Sequence, residues 1–195
     1  MPDDALFETL RAALGRKRFQ KPSTPPEPEL AIRNWTGEER LQQFRRAFTG
    51  RGGHLHVVSS AEEARSLIGD LQAGQEAIAA SLPWLAECGI LDLAGVQSGF
   101  TDAELLRNAG RTARIGIISC HCLLAESGTV VLRSSPEQPG SIGFGLPVTV
   151  IVAPRRKLLG NLDELLQMNP RSFASFRETV LLNGSEGRDI HLILI

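Results

Sequence analysis

The stretch Ala125-Glu126-Ser127-Gly128-Thr129 is where the sequence comes nearest to chemistry. A carboxylate stands between an apolar run and a Ser-Gly pair, and a β-branched run starts at once behind it. Gly128 can adopt positive φ and turn backbone N–H groups toward a ligand. Glu126 would then occupy a strand end, the edge at which open α/β sheets hold their ligands. Such a carboxylate can serve as nucleophile, general base or hydrogen-bond acceptor, depending on how far burial raises its pKa. The alternative is a turn carboxylate that caps local N–H groups.

Cys120-His121-Cys122 invites a metal reading. On a strand the two thiols face one side and the imidazole the other, so the three do not share one ion easily. A structural zinc site takes four ligands and an iron–sulfur cluster four thiolates, whereas the third cysteine, Cys88, is distant in the sequence. Small buried cysteines beside a sheet histidine are therefore expected, and no metal ligand is assigned. A nucleophilic cysteine paired with His54, His56, His121 or His191 has no flanking support. Two loops could line a ligand site. The first, Ser134 to Ser141, is polar and rich in glycine and proline, and offers Ser134 and Ser135. The second, Asn183 to Asp189, offers small residues with free N–H groups and Arg188 as charge partner for an anion. It is equally an ordinary hairpin loop. Neither contains a phosphate-binding glycine motif.

The chain has 195 residues, with 21 Lys and Arg against 22 Asp and Glu. A net charge of −1 argues against a nucleic-acid partner, whose footprint is an excess of base. No apolar run approaches the ~20 residues of a membrane span. The acidic opening Met1-Pro2-Asp3-Asp4 is unlike a targeting peptide, and three cysteines fit a reducing interior, so a cytoplasmic location is expected. At this length a core forms without disulfide or metal.

The elements that must position these groups are legible from periodicity and caps. Leu6, Leu10, Ala13 and Leu14 share one helical face, and four prolines between Lys21 and Pro28 form an extended linker, so residues 1–28 form an arm and 29–195 the main domain. Thr36 and Glu39 make a capping box for a helix with Leu41, Phe44 and Phe48 inside. A strand at His54 to Val58 leads to a helix capped by Ser60. Gln75 to Ser81 is a poor strand because of its alanines. A short helix at Pro83 and another from Thr101 or Asp102 to Gly110 follow. Short apolar runs at Ile115, Cys122, Thr129 and Val148 read as strands, some of them joined as hairpins. Leu158 to Met168 reads as one amphipathic helix. Val180 to Leu182 and His191 to Ile195 close the fold as strands, the last in the sheet interior. The order predicts an α/β fold, a three-layer α/β/α sandwich with a mixed sheet.

Arg114 to Ile118, followed by Leu124-Ala125-Glu126-Ser127-Gly128-Thr129-Val130-Val131-Leu132, resembles the core signature of the LUD-domain family, in its lactate-utilisation protein C (LutC/YkgG-like) branch. Leu10 to Gly15, Phe44 and the stretch from Gly53 to Ala64 resemble further parts of that branch, so the similarity spans nearly the whole chain. Gly140 to Pro147 lacks the arginine usual there, and Gly184 to Ile190 runs straight into His191, merging two elements that family members keep apart. The resemblance implies a fold similar to the sugar-phosphate isomerase and CoA-transferase superfamily. It also implies a part in oxidising L-lactate to pyruvate, as an accessory or ligand-binding subunit beside iron–sulfur partner proteins. No cofactor is expected in this chain, the clusters belonging to the partners. Glu126, Ser127, Gly128 and Thr129 would line a cleft for a small anionic ligand, with Ser134, Ser135 and Arg188 at its rim. The N-terminal helix would dock a partner or make a homo-oligomer. The alternative is an acyl or CoA transferase, or a sugar-phosphate isomerase, with Glu126 as nucleophile or base, by analogy with the Glu-x-Gly turn of CoA transferases.

Overall fold

The structure is a computed structural model and describes residues 8, 9, 12, 13, 35–168, 179–183 and 188–195. The chain divides into two compact units, Met1–Ile32 and Arg33–Ile195. In the first, residues 8, 9, 12 and 13 are helical, within the helix expected from Leu6 to Leu14. The proline-rich linker lies outside the described residues.

The second unit opens with α1 (Gly37–Thr49). The Thr36 hydroxyl accepts from Glu39 N–H at 3.3 Å, and the Glu39 carboxylate accepts from Thr36 N–H at 2.8 Å, which satisfies two N–H groups that the helix itself leaves free. Thr36 is exposed, so Thr36→Ala is expected to cost little beyond this cap, about 1 kcal/mol of unfolding free energy as measured by urea unfolding. Leu41, Phe44 and Phe48 turn into the core, as their spacing requires. Next come β1 (His54–Val57) and α2 (Ala61–Gln72). Ser60 caps α2 through Glu63 N–H, while the Glu63 carboxylate reaches one residue further back, to Ser59. There follow β2 (Ala77–Ala79), α3 (Pro83–Glu87), β3 (Val96–Gln97), α4 (Ala103–Thr112) capped by Asp102, and β4 (Ile115–Ile118). A hairpin of β5 (Cys122–Leu124) and β6 (Thr129–Arg133) precedes α5 (Gly140–Phe144) and β7 (Val148–Ala153). A 3-10 turn (Arg155–Lys157), β8 (Leu158–Leu159), α6 (Leu162–Met168), β9 (Thr179–Asn183) and β10 (Asp189–Leu194) complete it.

The strands form two sheets. Six are wholly parallel in the order β1-β10-β7-β4-β2-β3, and four form a smaller mixed sheet, β8-β5-β6-β9. The α/β class is the one expected, with helices and a mostly parallel sheet in layers. The antiparallel pairings are confined to the smaller sheet. Central parallel strands are buried on both faces, which is why Ile117, Val150, Ile151, Val152 and Leu192 to Leu194 read as unbroken apolar runs. β10 lies between β1 and β7, so the apolar run at the end of the sequence does occupy the sheet interior.

Two expectations are corrected. Ala77–Ala79 is a strand despite its alanines, because it is fully buried between β3 and β4, where pairing and burial override a weak propensity. Leu158 to Met168 is not one helix. Leu158 and Leu159 pair with β5, Gly160 breaks the chain, and the Asn161 side chain accepts from Glu164 N–H at 3.0 Å to cap α6.

Candidate functional site

The parallel sheet has a switch point between β2 and β4. From β2 the chain runs outward to β3, and from β4 it turns inward to β7, so the connections diverge at the carboxyl ends of two neighbours. A cleft of about 380 Å³ opens there. Ser81 follows β2, Gly99, Phe100 and Thr101 follow β3, and Pro136, Glu137, Pro139 and Ile142 come from the long loop and α5. Its walls are tied together, since Ser81 N–H donates to Glu137 O at 2.8 Å and the Ser81 hydroxyl accepts from Gly99 N–H at 2.7 Å. Gly99 holds φ at +76°, a conformation that favours glycine. Phe100, both prolines and Ile142 give the cleft apolar faces, and Thr101 and Glu137 give it a polar edge. The Glu137 carboxyl is held below the usual carboxylate range by its own backbone N–H and by the Ser135 side chain.

Beside the cleft, one buried amide fastens the loop to β4. Gln138 donates to Ser119 O at 2.9 Å and Arg133 O at 3.2 Å, and accepts from Ser119 N–H at 2.9 Å. Lys157 Nζ donates to the Ser119 hydroxyl at 3.2 Å and also to Cys120 O. The His121 imidazole is pushed down to about 4, first by burial and then by the charges of Arg133 and Lys157. Arg133 and Lys157 thus help burial to keep the His121 imidazole, just beyond β4, neutral.

This setting has a pH consequence. The folded His121 prefers to be neutral while the unfolded one titrates near 6.5, so between those values the unfolded chain binds more protons. Stability is retained above pH 6.5 and falls as pH drops from 6.5 toward 4. Burial lowers His56 and His191 in the same direction. For His121 the loss is bounded by about 3 kcal/mol, and solvent around the half-buried ring reduces it. Urea midpoints at pH 7 and pH 4.5 are expected to differ less in His121→Asn than in the wild type.

Burial pushes the Cys120 thiol up to about 12 and Cys122 to about 11, leaving little thiolate at neutral pH, so these are poor nucleophiles. Cys88 is buried and raised as well.

The residues singled out in the sequence divide between two places. Glu126 is exposed on the β5–β6 hairpin. Its backbone N–H donates to Gly160 O at 2.9 Å and its carbonyl accepts from the Gln43 side chain at 3.4 Å. Among the described residues its carboxylate has no hydrogen-bond partner, and it lines none of the described hollows. Gly128 does take positive φ, +66°, but that bend serves packing. A Cβ there would lie 2.6 Å from Phe48 N, so the backbone is pressed against the end of α1. The Ser127 hydroxyl donates to Thr129 Oγ1 at 2.6 Å, and Thr129 donates to Asn183 Oδ1, which joins the hairpin to the start of the second loop. Arg51 holds Ser127 O. Residues 184–187 lie outside the described residues. Ser134 and Ser135 stand at the far end of β6, ~17 Å from the hairpin at 3.4 Å per residue, so the expected single cleft does not gather both sets. Ser135 caps Gln138 N–H at 3.1 Å beside the switch-point cleft. Ser134 borders a gap of about 10 Å³, room for about one water. Arg188 donates to Phe144 O at 3.1 Å and lies 5.7 Å from that ring.

The sequence reading missed Ser81, Thr101, Gln138 and Lys157. Ser81 closes a stretch whose alanines disfavour a strand. The usable signal was polar residues placed just beyond each apolar run.

Residues 41–183 match the LUD domain. The chain belongs to the LUD domain family. That family is associated with lactate utilisation. The LUD domain described here is similar in fold to a crystal structure, at 1.70 Å resolution, of a DUF162 family protein from Deinococcus radiodurans. The TM-score is 0.67 at 18% identity, over 82% of this chain and 98% of that one. No match is found among curated proteins. Among the described residues of this LUD protein, no helix is long and apolar enough to cross a membrane.

Proposed function

We propose that this LUD protein acts in the oxidation of L-lactate to pyruvate as a protein C-like accessory or ligand-binding subunit, in the cytoplasm, beside iron–sulfur proteins that carry the electrons. The observation that carries the reading is the family match over residues 41–183. Two further features support it. The chain has three cysteines, one short of the four thiolates that hold a cluster, and two of them are held firmly as thiols. Electrons therefore pass through partner clusters in this reading. The switch-point cleft falls in the range of small-molecule sites, and the Ser81 and Thr101 hydroxyls on its lining could hydrogen-bond a small hydroxy acid, the proposed anionic ligand. Residues 1–28 would serve as the docking or dimerising arm.

The test is reconstitution with the lactate-utilisation iron–sulfur proteins of the same organism, following lactate-dependent reduction of an artificial electron acceptor. Omitting this chain is expected to lower the rate at least tenfold. An undiminished rate without it overturns the proposal. In the same system, a chain lacking residues 1–28 is expected to lose co-purification with the iron–sulfur proteins, and unchanged co-purification removes the docking role.

The Glu126 transferase reading gains no geometric support from an exposed hairpin carboxylate outside the described hollows.

A further inference from the structure

The paired strands β1 and β10 carry a group of side chains that the lactate-oxidation reading does not use. They run parallel with His54 opposite His191. Alternation along each strand places His54 and His56 on the same face as Asp189 and His191. Asp189 Oδ1 lies 2.9 Å from His191 Nε2 and 3.5 Å from His54 Nε2. The ligand atoms of these three residues all lie within 4.8 Å of one another.

These spacings are close to those of a metal's donor atoms. Nitrogen and oxygen ligands at about 2.0–2.2 Å from a zinc ion stand about 3–3.5 Å from each other. Two imidazoles and one carboxylate form a donor set that suits borderline first-row divalent ions. The back of the group is also organised. His191 Nδ1 lies 3.1 Å from His56 Nε2, so once Nε2 of His191 is given to a metal, its remaining proton sits on Nδ1 and is donated to His56. An outer partner of this kind fixes both tautomer and ring plane of a ligating histidine. Ring stacking holds the group further, with 4.7 Å between the His54 and His191 centroids and 5.3 Å between His56 and His191. Side-chain exposures of 57% for His54 and 50% for Asp189, against 11% for His191, leave the outer side open to water. Three protein ligands with an open position are the arrangement of exchangeable or reactive sites rather than closed structural ones.

The geometry points to a divalent transition-metal site formed by His54, Asp189 and His191, with His56 as a positioning residue. It takes a borderline ion, Zn²⁺ foremost, and keeps at least one coordination position for water or an anionic ligand. The sequence carries a signal for this site, since His54-x-His56 and Asp189-x-His191 each place two such groups on one side of a strand.

Chelator-treated full-length chain titrated with Zn²⁺ alone by calorimetry is expected to bind one ion per chain. Loading with Co²⁺ is expected to give a visible spectrum that reports the same ligands. Affinity is expected to fall at least tenfold in His54→Ala and in Asp189→Asn, and roughly tenfold in His56→Ala. His121→Ala keeps full affinity. His54 and Asp189 are half-exposed, so both variants are expected to keep the wild-type far-ultraviolet circular dichroism. Substoichiometric binding to the wild type overturns the proposal, as does an affinity within twofold of wild type in both His54→Ala and Asp189→Asn. The readout does not involve lactate or the iron–sulfur proteins, so it stands or falls separately from the proposed function.

Discussion

Gly116→Ala is expected to destabilise the protein by about 3 kcal/mol, at the upper end of overpacking effects. Gly116 sits within the buried strand β4, and a Cβ there would fall 1.9 Å from the Ile142 carbonyl oxygen and 3.0 Å from its carbon. The obstacle is backbone, so no rotamer change relieves it, and either α5 or β4 must move. α5 is anchored on both sides of the contact. The Thr149 hydroxyl donates to Gly143 O at 2.7 Å, and a Cβ on Gly143 would itself meet Ile118 at 2.8 Å. Because Ile142 and Pro139 also line the switch-point cleft, a displaced α5 distorts that cleft along with the core. Urea unfolding measures the loss. Gly110→Ala in α4 is the control, since nothing lies within 4 Å of its added methyl and a helix gains from the exchange. That variant is expected to be more stable by roughly 0.5–1 kcal/mol.

The second large effect is expected at Gln138. Its side chain satisfies Ser119 N–H, Ser119 O and Arg133 O in a place where only 8% of the residue is exposed. Alanine leaves these main-chain groups short of partners, and each buried polar group so stranded costs about 1–3 kcal/mol. A total near 3 kcal/mol is expected, since water entering the vacated space recovers part of the loss. The change should also be local. The Ser119 amide is expected to exchange its hydrogen much faster, and the 134–139 loop to loosen, while amides of β10 stay protected. Gln138→Glu separates the donor role from shape, because a carboxylate keeps the length but can no longer donate to the two carbonyls.

The legible parts of the sequence were those where local chemistry and burial agree. Thr36 with Glu39, Ser60 with Glu63, and the apolar runs of β4, β7 and β10 each announce an element that the structure contains. The strand Ala77–Ala79 was hidden because nothing in alanine prefers a strand. Its position between two neighbours is a tertiary fact. The break at Gly160-Asn161 was visible as a glycine and a capping residue, but the leucines on either side suggested one helical face. The candidate site was harder to see. The Glu126 to Thr129 turn was correctly read as a bend between strands, yet the surface that Gly128 meets is the end of α1, which lies some 80 residues earlier. The cleft residues Ser81, Thr101 and Glu137 come from three separate connections, and only the strand order brings them together. The His54 and Asp189 group likewise depends on the pairing of the first parallel strand with the last.

The most direct test concerns the switch-point cleft in lactate oxidation. Thr101 is exposed on its rim, so Thr101→Trp can fill the hollow without disturbing the core. In the reconstituted system with the iron–sulfur proteins, this variant is expected to lower lactate-dependent acceptor reduction at least tenfold while its urea midpoint stays at the wild-type value. A Thr101→Trp protein that supports the full wild-type rate would contradict the assignment of ligand binding to this cleft.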